Sequence, residues 1–556
     1  MKKPIVNFLK PSEQQLNSLL KYYQTGRYVD AEKLSLSITQ EFPEHQFAWK
    51  VLGAALKQTG RINESLIACQ KSVQLNPRDG EAHNNLGSIL QELGRLNEAE
   101  ASCKQAITLK PDYAEAYYNL GVILQKLDRL NEAEAGYRQA ITLKPDYAEA
   151  HNDLGGILQE LGRLNEAEAS YRQVIELKPD LAEAYYNLGV ILQKLDRLNE
   201  AEAGYRQAIT LKPDYAEAHN NLGNTLKEFG RLKEAEASYR QAIALKPNFV
   251  QTIYNLSILM DYMNNLDESV LLLESVLEID KNNYGLKAAI NLAIFKFLEN
   301  NFSDSKKLLL TSQKIQEKTS FDFKNQKIYW NYLLKILGQH ENKSLTYTAP
   351  KLEKKLYVIG ESHSLVSHGL HIQNSGKDFL CKSFLIQGCK QSDLGSDIKN
   401  YYKYKFESIF CSLPEPSKIL LTIGEIDCRL NIGIIKHRNK YPQKKMIDLI
   451  TNTIENYLDY IFKLNSSAKH DIIIQGVPCP NISTRNILTE KVVELIDVIR
   501  EFNIVLKNKS KKMGFGFLDV YKLTDNGDGF SNSIWHIDTF HLSTEGMCEA
   551  WRVHAS

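Results

Sequence analysis

Residues 113–146 read YAEAYYNLGVILQKLDRLNEAEAGYRQAITLKPD, and residues 181–214 repeat them with only the first residue changed. Glycines stand at Gly53, Gly87, Gly121, Gly155, Gly189 and Gly223, and prolines at Pro77, Pro111, Pro145, Pro179, Pro213 and Pro247, each set spaced by 34. A fixed period of this length is the mark of a repeat architecture. Within Ala114 to Tyr147, the residues Tyr117, Leu120, Leu124, Ala133, Tyr137 and Ala140 recur at helical spacing on two stretches parted by Leu127-Asp128-Arg129-Leu130. The spacing predicts an amphipathic helix, a turn and a second amphipathic helix. Pro145 closes the unit, because proline lacks the donor that would continue the ladder.

Small residues, aromatics and closing prolines in register over six units resemble the tetratricopeptide repeat. Gly26, Ala31 and Pro43 hold the register in a degenerate first unit, and Ser257 and Lys281 break it in the later ones. The resemblance implies a right-handed all-α superhelical solenoid of about nine repeats over 11–338, closed by a capping helix near Ile328 to Gly338. Residues two before the repeat glycines are Asn85, Asn119, Asp153, Asn187, Asn221 and Asn255. The row is similar to the asparagine ladder of O-linked N-acetylglucosamine transferase repeats. That likeness implies a concave groove holding a protein or extended peptide by its backbone, since an amide offers both donor and acceptor. A solvated polar groove inherited by duplication is the plainer alternative.

The chain has 556 residues, too many for one core. Its 68 basic and 67 acidic residues leave no electrostatic footprint for nucleic acid. No secretory or membrane-spanning stretch is evident, so a soluble cytoplasmic protein is expected. The eight cysteines lack metal or disulfide spacing and read as small buried hydrophobes, so neither metal nor cofactor is expected.

The helical pattern fails at 339–355, a predicted linker, and 356–556 forms the second domain. Apolar runs at 356–359, 418–423, 471–475 and 514–520 alternate with helical segments at 445–464 and 489–507. This alternation predicts an α/β three-layer domain with a parallel sheet, whose chemistry gathers at the carboxyl ends of the strands.

Gly360-Glu361-Ser362 follows the first run, and Asp538-Thr539-Phe540-His541-Leu542-Ser543 lies near the C-terminus. Serine early and Asp-x-x-His late resemble the SGNH or GDSL family of esterases and acyl hydrolases. The resemblance implies Ser362 as nucleophile, His541 as base and Asp538 as its orienter, acting on an ester-bearing small molecule or glycan, such as a carbohydrate O-acetyl ester. Two positions depart from the family. Ile426 stands where an asparagine would complete the oxyanion hole, leaving Arg429 or Asp427 as substitutes, or a hole with backbone donors only. The family's second-block glycine falls at Gly388 or at Gly395. Ser364 and His536 are the alternative nucleophile and base. A scaffold with a degenerate SGNH fold, or a glycan-modifying protein, remains the alternative reading.

Overall fold

The computed structural model describes residues 10–316, 324–342, 354–429, 433–482 and 490–555. The chain packs as two compact units, 1–214 and 215–556.

The first unit contains helices α1 (Glu13–Gln24) to α12 (Leu198–Leu211), paired as antiparallel hairpins. In α7 (Ala114–Lys126) and α8 (Leu130–Leu143) the buried residues are Ala116, Gly121, Ile123 and Leu124 facing Ala133, Gly136, Tyr137 and Ala140. Arg129, just before α8, donates to Glu132 one turn on at 2.7 Å and to Glu100 of the preceding repeat at 2.8 Å. The exposed Glu132 pair contributes little to stability, and the Glu100 pair, half-buried, links one repeat to the next.

The second unit opens with six more repeat helices, α13 (Ala216–Glu228) to α18 (Phe302–Gln316), and then α19 (Lys324–Asn342). Nineteen helices thus precede the sheet among the described residues. The expected linker begins later than its pattern suggested, because α19 runs on to Asn342; residues 343–353 lie outside the described residues.

Six strands follow: β1 (Lys354–Gly360), β2 (His371–Asn374), β3 (Lys377–Leu385), β4 (Lys418–Thr422), β5 (Asp471–Gln475) and β6 (Gly516–Leu518). Their order is β2-β3-β1-β4-β5-β6. All neighbours are parallel except β2 and β3, so the sheet is mixed rather than wholly parallel as expected. The antiparallel edge arises from a tight hairpin at Ser375 and Gly376, both at positive φ, which turns β2 straight back into β3.

Alternation along the strands sends side chains to two cores. Ile359, Ile419, Leu421, Ile472 and Ile474 join Phe406, Ile454, Tyr457 and Phe502 from α22 (Tyr401–Ser412), α25 (Met446–Ala468) and α26 (Glu490–Lys512). Leu356, Val358, Leu420 and Ile473 join Leu286, Ile290, Tyr332, Leu333 and Ile336, which come from α17 (Asn283–Leu298) and α19. One face of the sheet is therefore closed partly by helices of the repeat half. Three short helices, α20 (His363–Ser367), α21 (Gln391–Gly395) and α23 (Glu425–Cys428), follow strands β1, β3 and β4, and α28 (Thr544–Ala555) ends the described chain.

Candidate active site

Strand β1 has β3 on one side and β4 on the other, so the turn after β1 sits where the strand order reverses. Crevices at that point are the usual ligand sites of open α/β sheets. Gly360 ends the strand so close to β4 that a Cβ there would meet Thr422 Oγ1 at 2.0 Å. Only glycine fits, and the chain turns at once into α20 with Ser362 as its first cap.

Ser362 is 1% exposed. Its Oγ lies 2.8 Å from His541 Nε2, and His541 Nδ1 lies 2.8 and 2.9 Å from the two Asp538 oxygens. The loop before α28 is shaped for this contact, because Asp538 Oδ1 also accepts from the backbone N–H of Phe540 and His541. That turn folds Asp538 back under the imidazole. Burial opposes the charge on Asp538, but the His541 contact and the two backbone donors hold its carboxyl far below the usual range. The structure thus brings Ser362, His541 and Asp538 into one hydrogen-bonded chain, with an ionised orienter that fixes Nδ1–H toward Asp538.

Four neighbours complete the setting: Glu361 and His363 from the serine turn, and Tyr329 and Tyr332, which were not singled out from the sequence. The Glu361 carboxylate accepts from both the backbone N–H and the hydroxyl of Ser362, and from the Tyr329 hydroxyl. Burial would raise its pKa, yet these donors and the charges of His541 and Arg429 hold it below the ordinary value. Tyr332, also from α19, stacks on the His541 ring at 4.1 Å. His363 sits 4.8 Å from the same ring, with Nε2 at 2.9 Å from the Phe540 carbonyl. No local pattern marks the α19 tyrosines as site residues, since they occupy ordinary buried positions of a helix.

The oxyanion candidates fare differently. Gly388 follows β3 at φ +74, and Ile386 beside it donates to the Gly360 carbonyl, so this loop lies against the serine turn. Gly395 instead packs on α25, where a Cβ would meet Tyr457 N at 2.8 Å. Arg429 holds Glu425 through Nε and Nη2 at 2.7 and 2.6 Å, and lies 5.9 Å from the Phe540 ring. Asp427 accepts from Gln391 N, Ser392 N and Ser392 Oγ, which commits it to the start of α21. Ile426 is buried. Ser364 is buried with its carbonyl bound by Ser383, and His536 pairs with Ser531 at 2.8 Å.

In the repeats, the ladder residues are half-buried and several bond to the asparagines that stand three before the repeat glycines. Asn119 donates to Asn84 at 2.9 Å, Asn187 to Asn152 at 3.4 Å and Asn255 to Asn220 at 3.1 Å, each pair 35 residues apart. Asn221 accepts from Asn220, and Asp153 from Asn152 and Tyr118. Asn85 shares the half-buried setting.

A TPR repeat model matches residues 87–128 and 157–196, and tetratricopeptide repeat models match 68–101, 114–147 and 180–248. The helical hairpins over 68–248 are tetratricopeptide repeats. Solved structures similar to these repeats include YrrB, described as a TPR protein with an unusual peptide-binding site, at 23% identity over 34% of this chain and 97% of that one, with a TM-score of 0.32. MamA is 26% identical over 30% of this chain and 97% of its own, with a TM-score of 0.28. Pseudomonas aeruginosa pilF is 19% identical over 36% and 92%, with a TM-score of 0.34. No curated protein matches the chain. Of the cysteines, Cys411 and Cys548 are exposed and not buried as the sequence suggested, because both fall on the outer faces of helices. No helix among the described residues is long and apolar enough to cross a membrane.

Proposed function

We propose that the protein is a tetratricopeptide scaffold carrying an SGNH-like serine ester hydrolase or acyltransferase, with Ser362 as nucleophile. The observation that carries this reading is the Ser362–His541–Asp538 chain at hydrogen-bond distances, at the carboxyl end of β1. Serine Oγ attacks the ester carbonyl while its proton passes to His541 Nε2, and Asp538 stabilises the imidazolium. The tetrahedral intermediate collapses as His541 returns the proton to the leaving alkoxide. Water, or an acceptor hydroxyl, then attacks the acyl-serine and regenerates Ser362 by the same relay. Backbone N–H groups of the Ser362 turn and the Gly388 loop would serve the oxyanion, which requires Glu361 to release the Ser362 N–H. A carbohydrate O-acetyl ester is the proposed substrate class, and the repeats would hold a protein or extended peptide that bears or accompanies it.

A second reading, a non-catalytic scaffold, draws on Glu361, whose carboxylate occupies the serine's own donors. Hydrolysis of a short-chain aryl ester by the full chain separates the two. Activity abolished by both Ser362→Ala and His541→Ala supports the hydrolase; folded native protein without turnover supports the scaffold.

A further inference from the structure

Glu361, His363 and His541 bring one carboxylate oxygen and two imidazole nitrogens within 4.8 Å of one another, and all three residues are buried. Their outer partners are those that orient metal ligands. His541 turns Nδ1 to the Asp538 carboxylate, which leaves the Nε2 lone pair facing the Ser362 hydroxyl, the group an ion would displace. His363 has Nε2 on the Phe540 carbonyl. A carbonyl only accepts, so the proton is on Nε2 and the lone pair on Nδ1. Metal-bound histidines characteristically give the other ring N–H to a carboxylate or a carbonyl, which fixes the tautomer and raises ligand basicity. The third donor, Glu361, is oriented by the Tyr329 hydroxyl.

We propose that Glu361, His363 and His541 form a site for a zinc-type divalent cation, and that an ion bound there silences Ser362 by taking the Nε2 lone pair of His541. Two imidazoles and one carboxylate suit zinc better than calcium or magnesium, which prefer oxygen donors. Tetrahedral zinc with bonds near 2.0–2.2 Å places its donors about 3.4 Å apart. The farthest donors would have to approach by about 1.4 Å to reach that separation. The His541 lone pair can hold a proton or a metal but not both, so the ion-bound state has no general base. Only this inhibitory consequence rests on the hydrolase reading; the binding does not.

The test uses the full chain stripped with EDTA and titrated with zinc against a chromophoric chelator, alongside hydrolysis of the aryl ester. The native protein and Ser362→Ala should each bind one zinc, with His363→Gln and Glu361→Gln at least about tenfold weaker. Glutamine at 363 keeps a donor for Phe540, and circular dichroism confirms that each variant is folded. Stoichiometric zinc should abolish native hydrolysis, and EDTA should restore it. Absence of zinc binding, or equal affinity in the two ligand variants, would overturn the site. Zinc binding with the stated dependences in a protein without esterase activity would uphold the site and remove the hydrolase reading.

Discussion

The carboxylate of Glu361 and the hydroxyl of Ser362 are in direct hydrogen-bond contact, so the serine that faces His541 at 2.8 Å also faces an acceptor from its own neighbour. One hydroxyl proton cannot serve both, and the Ser362 N–H is engaged as well. Glu361 would stabilise an imidazolium at His541 and repel an oxyanion at Ser362. At an effective dielectric of about 20, each effect is about 3 kcal/mol at about 5 Å, and the two oppose each other. Availability of the donors then decides. Glu361→Ala is expected to raise kcat/KM for an aryl ester by about tenfold or more, and a fall would show that the carboxylate assists the base.

Asp538→Asn keeps the shape of the loop but reverses the hydrogen-bond demand on His541 Nδ1. The expected result is a kcat lower by about 10³–10⁴-fold with little change in KM. Steady-state kinetics on the folded variant checks it.

Tyr329→Phe removes a donor from a buried ionised carboxylate. Hydrogen bonds to charged groups contribute about 1.5–3 kcal/mol, so a lower midpoint of urea unfolding is expected. Tyr332→Ala should cost more, about 3–5 kcal/mol, because a fully buried ring that stacks on His541 is lost.

Burial pushes the His536 imidazole down to about 4 from an ordinary 6.5. The unfolded chain therefore binds the proton more readily between those values. Stability is fully present above about 6.5 and is lost as pH falls through about 4, by up to about 3 kcal/mol. In urea titrations at pH 7 and pH 4.5, His536→Gln should show a smaller difference than the native protein.

Two adjacent glycines in α9 (Ala148–Glu160) should respond with opposite signs. A Cβ at Gly155 would meet the Tyr171 ring at 2.8 Å, whereas one at Gly156 finds its nearest atom at 3.9 Å. Gly155→Ala should destabilise by about 1–3 kcal/mol through overpacking. Gly156→Ala should stabilise by up to about 1 kcal/mol through helix propensity. Thermal unfolding of both variants reads the contrast.

The repeats were legible because period, small residues and prolines are local signals that recur. Strands β1, β4 and β5 stood out as apolar runs buried on both faces. The β2–β3 hairpin did not, since His371 to Asn374 alternates exposed and buried and contains no apolar run, although Asn374-Ser375-Gly376-Lys377 is a readable turn. Serine, aspartate and histidine were visible as an ordered set of residue types. Their surroundings were not. Tyr329 reaches Glu361 across 32 positions and Ser362 reaches His541 across 179, and no periodicity within a helix or strand records such pairings.

Because α19 supplies the two tyrosines that touch Glu361 and His541, this helix of the second unit is part of the wall around Ser362 and does not belong to a detachable carrier. A protease nick or an expression boundary placed after Asn342 would leave the sheet whole but bare an imidazole face and a buried carboxylate to water. Shortening the protein for study therefore calls for a cut ahead of Tyr215, where the second unit begins, so that α17, α19 and the residues around the serine travel together.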